Sequence, residues 1–169
     1  PRIPHFMSAS SSEVSMDRRV ALLATLPSFE TLDPAILKQI AAAMAVESHT
    51  AGQKVVCESQ MGDRMYLIEN GRVEISAKGA MGKVPLGDMG VGEIFGEIAL
   101  LSETKRRRAT VEALTDVVLL TLGVEDFEKI ANEFPEVRDD LATAADALMA
   151  ARLEALMEAN RRKKELLGE

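Results

Sequence analysis

One cysteine, Cys57, and two histidines, His5 and His49, are all the thiols and imidazoles that this 169-residue chain has. A lone thiol closes no internal disulfide, so Cys57 reads as a small buried hydrophobe in a strand. His49 is the one imidazole in the β-rich middle of the chain, which leaves no cluster of His and carboxylate ligands for a metal-dependent β-barrel enzyme. Long apolar runs are missing as well. Charge, Pro or Gly interrupts each one before the roughly 20 residues that a bilayer span needs, "AILKQIAAAMAV" at 35–46 included. The N-terminus has none of the charged, apolar and small-residue regions of a secretory signal. These absences predict a cytoplasmic setting, no metal and no membrane contact by the chain itself.

Positive charge is the minority sign: 20 Lys and Arg stand against 27 Asp and Glu, a formal charge of −7. Non-specific nucleic-acid binding draws its affinity from many cation–phosphate contacts and the counterions they release, so the acidic balance argues against it, predicts no nucleic-acid partner and makes any anion site local. Internal repeats are absent too. Too few residues follow Pro135 for a helix-turn-helix domain in addition to the helix they encode.

The chain reads from its ends inward. "PRIPHF" ahead of Met7, then "SASSS", reads as a cloning remnant and a polar disordered arm over residues 1–16, leaving one domain at 17–169. "DRRVALLATLPSF" (17–29) puts Val20, Leu22, Leu23 and Leu26 on one side of a short helix. In "LDPAILKQIAAAM" (32–44), Asp33 is the N-cap, Pro34 the first helical residue, and Ile36, Leu37, Ile40 and Met44 the apolar stripe. From 46 to 122 the texture becomes short apolar segments between glycines: "KVVCE", "RMYLIE", "RVEISA", "KVPLGDM", "ATVEAL" and "VVLLTL". Asn70-Gly71 predicts a type I′ hairpin joining Arg64–Glu69 to Arg72–Ala77, and "KGAMGK" (78–83) a looser one. Beyond Leu122 helical periodicity returns. "VEDFEKIANEF" ends at Pro135, and a long helix follows with Leu141, Ala145, Leu148, Met149, Arg152, Leu153 and Leu156 at three- and four-residue steps. Its acids lie early and its bases late, as the helix dipole favours. The fold class is therefore mainly β with flanking helices: an antiparallel β roll of jelly-roll type at 46–122, N-terminal helices at 17–45 and C-terminal helices at 124–165.

Chemistry concentrates in "GEIFGEIALLSETKRRRATVEA" (92–113). Gly92 and Gly96 allow positive φ or close approach of backbone to a ligand. A helical turn beginning at Glu97 would aim the N–H groups around Glu97, Ile98 and Ala99 at an anion. Arg107, ten residues on, carries a planar guanidinium able to grip a phosphate with two parallel bonds, while the Glu97 carboxylate accepts hydrogen bonds of the kind sugar hydroxyls donate. An acceptor, a fixed cation and several amides describe a sugar phosphate. Taken alone, Glu97 is an ordinary helix-start carboxylate; its spacing to Arg107 gives it a function. Lys105, Arg106 and Arg108 read as a solvated rim.

"GDRMYLIENGRVEIS" (62–76) and "LGDMGVGEIFGEIALLSETKRRRATVEA" (86–113) resemble the cyclic nucleotide-binding domain family of protein kinase A regulatory subunits, cyclic-nucleotide-gated channels and bacterial catabolite activators. The similarity covers roughly residues 20–150. It implies a non-catalytic sensor in which Glu97 holds the ribose 2′-hydroxyl and Arg107 the cyclic phosphate. Amides of Gly96, Ile98 and Ala99 would complete the phosphate cassette, and the last helix would act as a lid that relays occupancy. Three departures stand out. Arg106 replaces the usual Pro, and the 101–109 stretch is one residue longer than in kinase or channel domains. Arg108 stands where Ser or Thr accompanies cyclic GMP contacts in some members, which favours cyclic AMP. Ser59 replaces a turn glycine. Arg152 falls where the family places a residue capping the purine, with Leu148 and Met149 as competitors. The implied ligand set is thus Gly96, Glu97, Ile98, Ala99, Arg107, Arg108 and Arg152, with cyclic AMP as ligand and no other cofactor. The last helix offers a contact for a homodimer or a larger effector. A degenerate, empty roll acting only through that helix is the alternative reading.

Overall fold

The computed structural model describes residues 14–103 and 105–168; the leader and most of the arm, residues 1–13, lie outside the described residues. Order begins earlier than the composition implies. Ser15 caps the first helix, α1 (Met16–Ala24), its hydroxyl accepting from the Arg18 N–H at 3.1 Å, and Val14 packs on the core. A Ser at the N-cap satisfies one of the orphan donors of a first turn, so a polar residue in a Ser-rich stretch here starts a helix. A 3₁₀ turn, Phe29–Thr31, leads to α2 (Pro34–Ala43). Asp33 caps α2 by accepting from the Ala35 N–H at 2.8 Å, with Pro34 at the first helical position. Arg19 closes the other end of α2, donating to the carbonyls of Ala41 and Met44.

Among the described residues eight strands follow: β1 (Ala45–His49), β2 (Lys54–Val56), β3 (Arg64–Asn70), β4 (Val73–Gly79), β5 (Gly82–Met89), β6 (Ile94–Phe95), β7 (Thr110–Ala113) and β8 (Val117–Gly123). They form two four-stranded antiparallel sheets, ordered β1-β8-β3-β6 and β2-β7-β4-β5. In the first sheet both faces are covered. Met65 and Leu67 of β3, with Leu120 and Leu122 of β8, face the helices, while Tyr66, Ile68, Val117 and Leu119 face the second sheet. That is why "RMYLIE" and "VVLLTL" are nearly continuous apolar runs. The second sheet alternates, with Val73, Ile75, Val111 and Ala113 inward and Glu74 and Glu112 outward, because water wets its outer face.

The expected Asn70-Gly71 hairpin is not formed. β3 and β4 lie in different sheets, and the turn between them carries the chain across the sandwich. Gly71 does take φ +93°, but Asn70 is not among the positive-φ residues, as a type I′ turn would require. The glycine serves close approach instead: a Cβ there would sit 2.4 Å from the Asp116 carbonyl oxygen. The looser connection is the real hairpin, β4–β5, with Gly79 opposite Gly82.

Three helices complete the unit: α3 (Ile98–Leu101), α4 (Val124–Glu133) and α5 (Glu136–Leu167). Only the root of α5 carries fully buried residues, with Ala145 and Leu148 packing partly on the core beyond it. Val137, Leu141 and Ala144 are buried, whereas Met149, Leu153, Leu156 and Met157 further along the same helix are exposed. Among the described residues no helix is long and apolar enough to cross a membrane, and no group of His, Cys, Asp and Glu is arranged to hold a metal ion.

Candidate functional site

Arg107 is placed by backbone pairing. Its N–H donates to the Gln60 carbonyl at 2.7 Å and its carbonyl accepts from Ser59, while Gly62 N–H donates to Lys105. This short ladder fixes the register of "KRRR", so one cation of the four turns inward: Arg107 is 7% exposed, Arg106 and Arg108 are exposed. The guanidinium donates from Nη1 to the Gly96 carbonyl and from Nη2 to the Arg64 carbonyl, each at 3.0 Å. It lies 5.6 Å from the centroid of the Tyr66 ring, which stacks on Phe95 at 4.7 Å and 8°. Two backbone acceptors and a π face hold the charge without neutralising it, which is how a buried cation stays available to an anion.

Two glycines make room for it. A Cβ on Gly96, at φ +76°, would come within 2.6 Å of Nη1, and one on Gly62 within 2.4 Å of Cζ. Gly62 and Tyr66 were given no role from sequence; the "GD" of the quoted 62–76 motif, next to a positioned arginine, was the signal available for the first.

Gly96, Glu97, Ile98, Arg107, Arg108 and Arg152 line one cleft of about 160 Å³, together with Met149 of α5 and the apolar Val56, Ile75, Met89 and Val111. Ala99 does not line it: its side chain is buried and its N–H is engaged by the Gly96 carbonyl at 3.2 Å. Leu148 packs on the core beneath α5, so Met149 is the apolar lid residue that reaches the cleft. Burial pushes the Glu97 carboxyl above the ordinary glutamate range, opposed by the positive charges of Arg152, Arg107 and Arg108. Arg152 reaches in from α5, its Nη2 3.0 Å from the Met89 sulfur, and its buried Nε has no hydrogen-bond partner among the described residues.

Lys105 is half-buried rather than a solvated rim residue, while Arg106 and Arg108 are exposed as expected. Lys105 Nζ donates to the carbonyls of Ala99 and Ser102, and Arg106 Nη1 to Ser59. Both satisfy backbone acceptors that the loop and the short helix leave open. Ser59 itself has φ +73°, a left-handed conformation that explains why a glycine is usual there. Cys57 lies half-buried just past the end of β2, outside the strand.

Two other concavities lack this chemistry. One of about 370 Å³ on the wet face of the second sheet is bordered by Lys54, Lys78 and Lys83 but also by Glu58 and Glu112. Another, about 240 Å³, meets the far side of Arg107 and is rimmed by Glu47, Asp63 and Arg64. Arg64 holds the Asp63 carboxyl below its usual range at 2.8 Å, so the anionic groups there are already satisfied.

The site sits in an antiparallel β roll with flanking helices, and the long C-terminal helix contributes to its lining. Residues 46–134 match the family model described as cyclic nucleotide-binding domain, and the chain belongs to that family. A cyclic nucleotide-gated potassium channel of Mesorhizobium japonicum is 34% identical over 72% of this chain and 32% of its own length. A cAMP-dependent protein kinase regulatory subunit of Eremothecium gossypii is 35% identical over 68% of this chain and 24% of its own. Among solved structures, the Thermus thermophilus catabolite activator protein superposes with a TM-score of 0.65 at 30% identity, covering 82% of this chain and 64% of that one. The chain spans about a third or less of the curated relatives' length.

Proposed function

We propose that this domain reversibly binds a 3′,5′-cyclic nucleotide, cyclic AMP in preference to cyclic GMP, makes and breaks no bond in it, and reports occupancy through α5. The observation that carries the reading is Arg107, buried yet ion-paired with no carboxylate among the described residues, on the same cleft as Glu97 and Arg152. Arg107 and the Gly96 and Ile98 amides take the cyclic phosphate, Glu97 accepts from the ribose 2′-hydroxyl, and Arg152 and Met149 cover the base. Arg108, a bulky cation rather than a small hydroxyl, supports the adenine form. The regulatory subunit among the relatives, named for cAMP, supports the same ligand.

Ligand energy moves the lid only through a difference in affinity between lid positions. The curated relatives are much longer than this match, and α5 is the element that would contact a larger effector or a second copy of the domain. Calorimetric titration with cyclic AMP and cyclic GMP tests the reading. Saturable one-to-one binding, tighter for cyclic AMP, is expected. No heat with either would support the degenerate roll instead, and tighter cyclic GMP binding would remove the base assignment.

A further inference from the structure

The short helix α3 ends in carbonyls that no residue of its own can satisfy, as every helix does. Two cations take them. Lys105, from the same loop, holds Ala99 and Ser102. Arg138, in the first turn of α5, donates from Nη1 to the Leu100 carbonyl at 3.2 Å. Its Nη2 meets Glu128 of α4 at 2.8 Å, and its Cζ lies 5.1 Å over the ring of the fully buried Phe127. One planar side chain therefore touches the cassette helix, α4 and the root of the lid. A guanidinium suits this because its donors are fixed in one plane while its face stacks on the ring.

We infer that Arg138 is the positioning residue that couples the 96–102 segment to α5, so that the two shift together when the cleft fills. The inference rests on the proposed ligand binding for its trigger, though not for its geometry. Lys105 travels with the loop and cannot report its position; Arg138 belongs to the lid and can. By reciprocity, whatever lid position the ligand favours raises ligand affinity by the same factor when imposed on α5.

Hydrogen–deuterium exchange on the full chain, with and without cyclic AMP, separates the possibilities. In the wild type, protection should spread from 96–102 into 136–144. In Arg138→Leu it should stop at the loop, and without ligand exchange should quicken up to about tenfold in both segments while β3 and β8 stay unchanged, the scale of losing a charge-assisted hydrogen bond. Arg138→Lys keeps the charge without the planar fork and should fall between; it also carries the test if the leucine variant unfolds. Protection reaching 136–144 equally in the variants would overturn the coupling. A wild type that takes up no cyclic AMP would defeat the binding proposal alone. The ligand-free comparison then decides, with unchanged exchange at 98–102 in Arg138→Leu overturning the inference and quickened exchange upholding it.

Discussion

Arg107, at the floor of the cleft, spends two donors on fixed carbonyls, rests on a stacked ring pair and is hemmed in by two glycines; Arg152, on the lid, touches a thioether and leaves its Nε buried without a partner. The floor is complete before any ligand arrives. The lid is not: an unmet buried donor costs roughly 1–3 kcal/mol, which a ligand acceptor would recover. Binding at the floor should therefore be a matter of preorganisation, and at the lid a matter of satisfying what is left open.

The largest effect expected is at the floor. Arg107→Ala should weaken cyclic AMP binding by about 2–4 kcal/mol, the range for truncating one partner of a buried charge pair. Calorimetry reading an unchanged affinity would strip the floor of its role and erase the contrast. Gly96→Ala is next and removes no charge at all. It forces a Cβ into a positive-φ site against Nη1, so about 1–3 kcal/mol of stability should go, visible in urea unfolding. Affinity should fall as well, because the guanidinium must move. Retained affinity would mean that the placement of Arg107 is not what the floor contributes.

Much of this was legible in the sequence, and the failures have a common cause. Asp33-Pro34, the helical stripes and the 92–113 motif are local or periodic signals, and each appears where the spacing puts it. Pairing of β3 with β8 rather than with β4 is non-local; an Asn-Gly step between two apolar segments reads identically whether the chain turns back or crosses to another sheet. β6, two residues long, has no period to detect. Lys105 reads as solvated because its partners are backbone carbonyls, which carry no sequence label. Arg107 was legible only through its motif, and the same holds for Glu97.

Glu97 links floor and lid, and pH probes it. Burial raises its folded value above that of the unfolded chain, so in the ligand-free protein it binds its proton more readily when folded. Between those two values stability falls as pH rises, and through this group acidification stabilises the empty fold. The bound ribose asks for the opposite, an ionised acceptor. Cyclic AMP affinity should thus decline on acidification at a pH above the ordinary glutamate range, by about tenfold once the carboxyl is neutral. Glu97→Gln should flatten both profiles. A wild-type affinity that stays level as the carboxyl takes its proton would show that Glu97 accepts nothing from the ligand.

The smallest effect should come from the lid. Arg152→Ala removes an Nε that has no partner among the described residues along with one Nη2–thioether contact, so unfolding in urea should show little change in stability. Affinity should drop by about 1 kcal/mol, mostly as faster dissociation, since a lid contact forms after the ligand is seated at the floor. Stopped-flow displacement of a fluorescent cyclic AMP analogue measures it. Equal loss in the association rate would mean that Arg152 guides entry instead, and the cleft would then be assembled from both sides at once. An unchanged dissociation rate would leave Met149 as the lid's contribution and the unmet Nε as a group the ligand never reaches. Either result would move the contrast between floor and lid from donors satisfied or open to charge buried or exposed.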